Sequence, residues 1–302
     1  MTEKPNSISL TQKWLLAVRP KTLPAAVAPV ILGLSIAATT GIFHWGAGLA
    51  ALFGAVMIQI GTNLVNDVID FSKGADTAER TGPTRVTQTG LLTSKQVWTG
   101  VIVTFGLAGL VGVYLALLAG WPVVWIGLAA LLAGIAYTAG PYPLAYIGLG
   151  DLFVFIFFGF AAVCGTVFVT AESLPGSAWW AGAAAGALTV NILVVNNIRD
   201  IKTDRKAGRK NIPVVFGRAA AEWEFAAMLV LAFAIPPILI CQGFASPWVL
   251  LTYVSFPQGV KLWSVLRSGL DGPPLNPILG QTAQMVLRYC VLFAAGLLFP
   301  LI

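Results

Sequence analysis

The stretch WGAGLAALFGAVMIQIGTNLVNDVIDFSKGADTAER, residues 45–80, joins an apolar run to a polar cluster without a break. Residues 45–66 carry no charge. A membrane helix needs about 20 predominantly apolar residues to cross roughly 30 Å of hydrocarbon, so this run is long enough to span. Eight more runs of that kind follow or precede it: 22–43, 97–119, 121–139, 148–171, 178–198, 222–242, 246–266 and 280–301. They are too long and too evenly apolar for barrel strands, which alternate in short segments. The expected fold is therefore all-α: a polytopic membrane protein with nine transmembrane helices in a bundle.

Composition agrees. Of 302 residues, 57% are hydrophobic and 10% charged, against about 25% charged in soluble domains. Such a chain cannot cover a water-facing surface, which excludes a soluble enzyme and a nucleic-acid-binding domain in spite of the net charge of +6. Its partner on most sides is the lipid bilayer. Cys164, Cys241 and Cys290 stand alone in apolar runs and make no metal or disulfide pattern. The first run could be misread as a signal peptide, but it is as long as its neighbours and spans follow at once.

Lys and Arg set the orientation. They gather before the first run, between the second and third, between the sixth and seventh, and at the end of the eighth; only Arg288 falls elsewhere. The expected topology places the N-terminus and both long loops in the cytoplasm and the C-terminus outside. One domain then covers 1–302, with a tail at 1–21 and cytoplasmic catalytic loops at 67–96 and 199–221.

The second long loop, NNIRDIKTDRKAGRK at 196–210, repeats the device at 63–80. Asn63, Asp67 and Asp70 stand at offsets 0, 4 and 7; Asn196, Asp200 and Asp204 stand at 0, 4 and 8. At about 100° per residue each trio shares one helix face. Carboxylate and amide oxygens are hard ligands that suit Mg²⁺, which prefers a few carboxylates, waters and substrate phosphates to a protein cage. Lys73, Arg80, Arg85, Arg199, Lys206 and Lys210 lie among them and complement a polyanion. Two acidic faces in a basic surround, opening on an apolar interior, describe a site for a diphosphate with an apolar tail. A transporter is the rival from another class, but it predicts ionisable groups near mid-bilayer, whereas these gather at one face.

At these residues the chain resembles the UbiA superfamily of membrane aromatic prenyltransferases, over nearly its whole length. Within it the chain is similar to the menaquinone-pathway branch that acts on 1,4-dihydroxy-2-naphthoate. The resemblance rests on Arg19-Pro20-Lys21-Thr22-Leu23, on Asn63 through Asp67 with Lys73-Gly74-Ala75-Asp76-Thr77, on Gly82-Pro83-Thr84-Arg85, on Tyr137-Thr138 through Asp151, and on Leu275-Asn276-Pro277. It implies Mg²⁺ on Asp67, Asp70, Asp200 and Asp204, with a polyprenyl diphosphate as donor. The donor's tail is expected in an apolar tunnel, and transfer to the naphthoate with loss of CO₂ would give a demethylmenaquinol. A sister branch that acts on 4-hydroxybenzoate carries a further carboxylate where Gly74 stands here, so Asp76 is the substitute candidate. Homogentisate is another acceptor used in the family.

Tyr137 is the first candidate for an aromatic wall that keeps water from an allylic cation, and Phe71, Tyr142 and Tyr146 are others. Arg19, Lys21, Thr138, Tyr142, Tyr146 and Asn276 fall to the acceptor or its entrance. Asp151 suits either a helix N-terminal charge or the site. Arg288, inside the last run, is expected to pair within the bundle or face the site. His44, the one histidine, lies at the outer turn, far from the carboxylates.

Overall fold

The computed structural model describes residues 8–73, 82–140 and 143–299. Asp76, Arg80 and Tyr142 of the expected site lie outside the described residues. Every described element is helical. Helix α1, Leu10–Val18, opens on a Ser9 and Gln12 capping box, which satisfies backbone N–H groups that a helix start leaves unpaired. It ends on Arg19 in the left-handed region, φ 55°. Pro20 and Pro24 then restart the chain as α2, Pro24–Ala38, at 54° to what precedes it.

Helix α3 runs Trp45–Ser72, α4 runs Ser94–Ala119 and α5 runs Trp121–Ala136. Helix α6, Gly150–Ala171, contains a π-helical turn at Phe155–Ala161. Then come α7, Gly176–Arg199, the short α8, Ile201–Lys206, and α9, Arg218–Cys241. A 3₁₀ stretch, Pro247–Ser255, leads into α10, Phe256–Arg267, and α11, Asn276–Leu298, closes the bundle. Among the described residues six helices are long and apolar enough to cross a membrane, or seven if the bent pair at the N-terminus counts as one span.

Two boundaries differ from expectation, and both matter for the site. Helix α3 continues to Ser72, with neither Gly nor Pro in the sequence between Gly61 and Gly74. Its 28 residues measure about 42 Å at 1.5 Å each, longer than the hydrocarbon. Asp67 and Asp70, beyond the expected end of the apolar span at residue 66, thus stand on the same rigid helix as Asn63, on the shared face that their spacing implied. Helix α7 instead stops at Arg199, and Asp200 takes φ −98°, ψ 7° before α8 begins. Asn196 and Asp204 therefore do not share one continuous helix.

Helix α7 lies at the centre, where Ala178, Ala181, Ala184, Ala185 and Ala187 are buried. Small side chains let helix backbones approach closely where lipid supplies no hydrophobic drive. The closest approach is to the π turn of α6. A Cβ on Gly186 would sit 2.6 Å from the Phe155 carbonyl oxygen, and one on Gly159 would sit 2.5 Å from that of Gly182. Overpacking of this kind costs about 1–3 kcal/mol. Gly186→Ala is accordingly expected to lower the thermal midpoint of the detergent-purified protein, read by static light scattering or tryptophan fluorescence. An unchanged midpoint would mean that the contact is looser than described.

Candidate active site at the charged end of the bundle

Where α3 and α7 emerge at the same end, a cavity of about 230 Å³ opens between them. Four arginines (Arg19, Arg85, Arg199, Arg209) and three aspartates (Asp70, Asp200, Asp204) line it, together with Asn63, Asn66, Asn196, Tyr137 and Thr138. Five of the six residues of the two trios, far apart in sequence, thus line one cavity, Asp67 excepted, in a surround with an excess of positive charge.

The helix α3 contribution is a stripe at helical spacing. Asn63 donates to the Val18 carbonyl (3.0 Å) and Thr22 Oγ1 (2.9 Å), tying the N-terminal segment to the cavity wall. Asn66 Oδ1 accepts from Thr138 Oγ1 at 2.9 Å. Asp70 Oδ2 accepts from Arg85 Nη2 at 2.7 Å, and its Oδ1 lies 3.8 Å from Arg209. Asp67 is placed differently. Its two oxygens accept the backbone N–H groups of Val86 (3.2 Å) and Thr87 (3.1 Å), with Arg19 at 4.0 Å. It is buried and is not among the residues lining the cavity.

On the other side, Arg199 donates Nε to Asp200 Oδ1 (2.9 Å) and Nη2 to Asp200 Oδ2 (2.6 Å). Its Nη2 also donates to Asn196 Oδ1 (2.7 Å), and Nη1 reaches Asn276 Oδ1 (3.0 Å) at the start of α11. The planar fork of a guanidinium suits this shared grip. Asp204 Oδ2 accepts from Asn211 Nδ2 at 2.7 Å, while Oδ1 lies 3.3 Å from Arg209 Nη1. Burial pushes the Asp204 carboxyl up to about 6, against the pull of Arg209 and Asn211. Burial also works against the Arg209 charge, yet Asp204 and Asp70 together raise its pKa above the ordinary value.

Arg209, Asn211 and Asn66 were missed as site residues in the sequence reading. Gly208 at φ 73° turns the chain back so that the Arg209 N–H reaches the Asp204 carbonyl at 3.0 Å. The guanidinium then lies over the Tyr146 ring, 5.1 Å from its centroid. The Gly208 in the basic run was the available signal, and Asn66 stood beside Asp67 in the quoted motif.

Other expected residues stand outside the lining. Lys73 donates to the Thr138 carbonyl at 2.7 Å. Lys206, Lys210 and Lys21 are exposed, as is Phe71. Asn276 contributes through Arg199 and Tyr146 through Arg209. Asp151 occupies the first turn of α6. Arg288 is exposed on α11, a correction to the pairing expected within the bundle. His44 meets Glu172 at 2.8 Å near the other end.

Whether these oxygens suit a divalent cation is testable on the geometry. Among the described residues no three Asp, Glu, His or Cys side chains converge on one point, so a full protein cage does not fit. A Mg²⁺ held by one or two carboxylates, with waters and a phosphate completing its shell, does fit. Asp70 Oδ1 is buried and accepts no hydrogen bond, which leaves it available as such a ligand.

A second cavity, of about 680 Å³ and almost wholly apolar, lies among α3, α4, α5 and α6. A membrane-spanning helical bundle with a charged cavity at one end and an apolar chamber deeper inside defines a class of polytopic membrane proteins that hold amphipathic ligands. The chain belongs to the UbiA prenyltransferase family, whose model matches residues 26–270.

It is 34% identical to the 1,4-dihydroxy-2-naphthoate octaprenyltransferase of Mycobacterium tuberculosis, over 95% of this chain and 97% of that protein. It is also 34% identical to the enzyme of the same name from Escherichia coli, over 98% of each chain. Among solved structures, a UbiA homolog from Aeropyrum pernix K1 superposes with a TM-score of 0.69 at 16% identity, over 98% of this chain and 100% of that one. The Archaeoglobus fulgidus homolog bound to DMAPP and Mg²⁺ gives 0.66 at 16% identity, over 93% and 99%. At that identity the two structures bear on the fold.

Asp67 offers a direct check on the geometry. Leaving a buried donor unsatisfied costs about 1–3 kcal/mol, and Asp67→Ala would strand two. Its thermal midpoint in detergent should fall more than that of Asn66→Ala, which removes one hydroxyl contact. Equal midpoints would mean that Asp67 does not hold the segment at Val86 and Thr87.

Proposed function

We propose that this protein transfers a polyprenyl group from a polyprenyl diphosphate to 1,4-dihydroxy-2-naphthoate, releasing diphosphate and CO₂ and giving a demethylmenaquinol. The observation that carries the reading is the charged cavity, where Asp70 of α3 lies opposite Arg199, Asp200 and Asp204 at the end of α7 and in α8, with Arg19, Arg85 and Arg209 around them, beside an apolar chamber. The naphthoate acceptor is supported by relatives of that name aligned over almost the full length. Mg²⁺ is supported by the oxygen donors and by the ligands of the Archaeoglobus homolog.

Bound here, Mg²⁺ supplies Lewis-acid neutralisation of the diphosphate. Asp70 and Asp204 would hold it, with Asp200, Asn66 and Asn196 within the same wall. Asp67 assists by fixing the segment that carries Arg85. Arg85, Arg199 and Arg209 meet the negative charge that grows on the diphosphate as the allylic C–O bond breaks and its electron pair leaves with the oxygen. Tyr137 and Phe158 form the aromatic part of the wall and keep water from the allylic cation. Arg19 and Thr138 orient the acceptor so that the ring carbon bearing the carboxylate meets the allylic carbon. The new C–C bond forms there, CO₂ departs, and the electron pair of the lost bond restores the aromatic ring.

The same reading takes residues 1–302 as one domain in a bacterial inner membrane. It counts nine crossings, adding α5 and the 247–267 unit to the long helices and the bent pair, with the N-terminus in the cytoplasm and the C-terminus outside. The basic residues on one side support that orientation. A C-terminal tag should then be reachable by an impermeant reagent only from outside, and labelling from the cytoplasmic face would change the count by one.

The test of function is product formation by the purified protein with octaprenyl diphosphate, Mg²⁺ and either 1,4-dihydroxy-2-naphthoate or 4-hydroxybenzoate. Prenylated product lighter by CO₂ is expected from the naphthoate and should vanish with EDTA. Product from the hydroxybenzoate alone would overturn the acceptor. Loss of an electrostatic transition-state contact typically costs about 10²–10³ in turnover, so Asp70→Asn, Asp200→Asn and Asp204→Asn should each fall by that order. Near-normal rates in two of them would sink the mechanism.

A further inference from the structure

The two cavities lie end to end along α3. Gln59, Asn63, Asn66 and Asp70 face the charged one, while Ala51, Gly54 and Ile58 face the apolar one. From residue 51 to residue 70 the helix rises about 28 Å, close to the thickness of a bilayer core. Among the described residues a single side chain lines both cavities, that of Phe158.

Phe158 stands in the π-helical turn of α6. Such turns insert an extra residue into a helix and recur at functional sites. Here the turn crosses the boundary between the two spaces. Val154, just before it, faces the charged cavity, while Ala161, its last residue, and Ala162, just after, face the apolar one. The turn is also locked in place, because Gly159 and Gly186 leave no room for a Cβ between it and α7. With its backbone fixed, Phe158 moves only through its own side-chain torsions.

We infer that Phe158 is the partition between the head and tail spaces and a specificity-determining residue for the length of the prenyl donor. This rests on the proposed reaction, which puts the diphosphate among the arginines and the hydrocarbon in the apolar chamber. A long donor must thread past the Phe158 ring with its head group held in place. A five-carbon donor ends at the ring and does not have to pass it. Bulk at position 158 therefore discriminates between donors by length, without altering the groups that bind the diphosphate.

The experiment compares kcat/KM for octaprenyl diphosphate and dimethylallyl diphosphate in the wild type, Phe158→Trp and Phe158→Ala, with one acceptor and saturating Mg²⁺. Pocket volume changes of a methylene or more shift specificity about 10–200-fold, so Phe158→Trp should lower the octaprenyl-to-dimethylallyl ratio about tenfold. Phe158→Ala should not lower it and should raise diphosphate release without prenylated product, since the wall against water is thinned.

A ratio within about threefold of wild type in Phe158→Trp, or a rise, overturns the inference. If the Trp variant does not fold, Phe158→Ala decides: a lowered ratio, or uncoupled diphosphate release equal to wild type, overturns it. A wild type that makes product from neither donor refutes the proposed reaction. An active wild type with unresponsive variants refutes the partition alone.

Discussion

The structure turns on one electrostatic arrangement: carboxylates from two distant parts of the chain brought within reach of a single guanidinium. Asp70 on α3 and Asp204 on α8 both face Arg209, at 3.8 and 3.3 Å. In a medium of low effective dielectric, like charges so placed repel far more than in water. Arg209, Arg85 and Arg199 offset that repulsion, and the excess of arginine over aspartate leaves the cavity attractive to an anion. The same carboxylates offer oxygen to a divalent cation. Helices α3 and α7 can therefore meet at their ends only with these counter-ions in place, and the cavity between them is a result of that balance.

Much of this was readable from residue spacing, and the rest was hidden for physical reasons. Asn63 and Asp70 were seen on one face because α3 is a true helix to Ser72, so periodicity carried over directly. The second trio looked equivalent, yet the chain leaves helical geometry at Asp200; offset alone does not register one aberrant dihedral pair. Asp67 fits the spacing as well as Asp70 does. Its oxygens are claimed by the backbone at Val86 and Thr87, which is a tertiary contact with no signature in the motif. Arg209 lay in a basic run whose members look alike in sequence, and only the reversal at Gly208 distinguishes it from Lys206 and Lys210.

Helix lengths show the same limit. Apolar runs located the helices, but the π turn in α6 and the 3₁₀ stretch at 247–255 are invisible to a count of apolar residues. Both lie at close backbone contacts, the first against α7 and the second against Gly296 of α11. The glycine pair at 159 and 186 lets α6 lie against α7 at the irregular turn. It moves Phe158 to a boundary that a regular helix would have placed elsewhere.

The contact between Arg199 and Asn276 joins the middle of the chain to its last helix, while Asn63 binds the carbonyl of Val18 near the start. The cavity is thus assembled from the beginning, the middle and the end of the polypeptide. During synthesis the early helices carry their aspartates and arginines into the bilayer before α11 exists. The pocket closes only when α11 has left the ribosome and docked. Until its final helix arrives, a nascent chain lacks both the Asn276 contact to Arg199 and the part of the wall that Leu279 supplies.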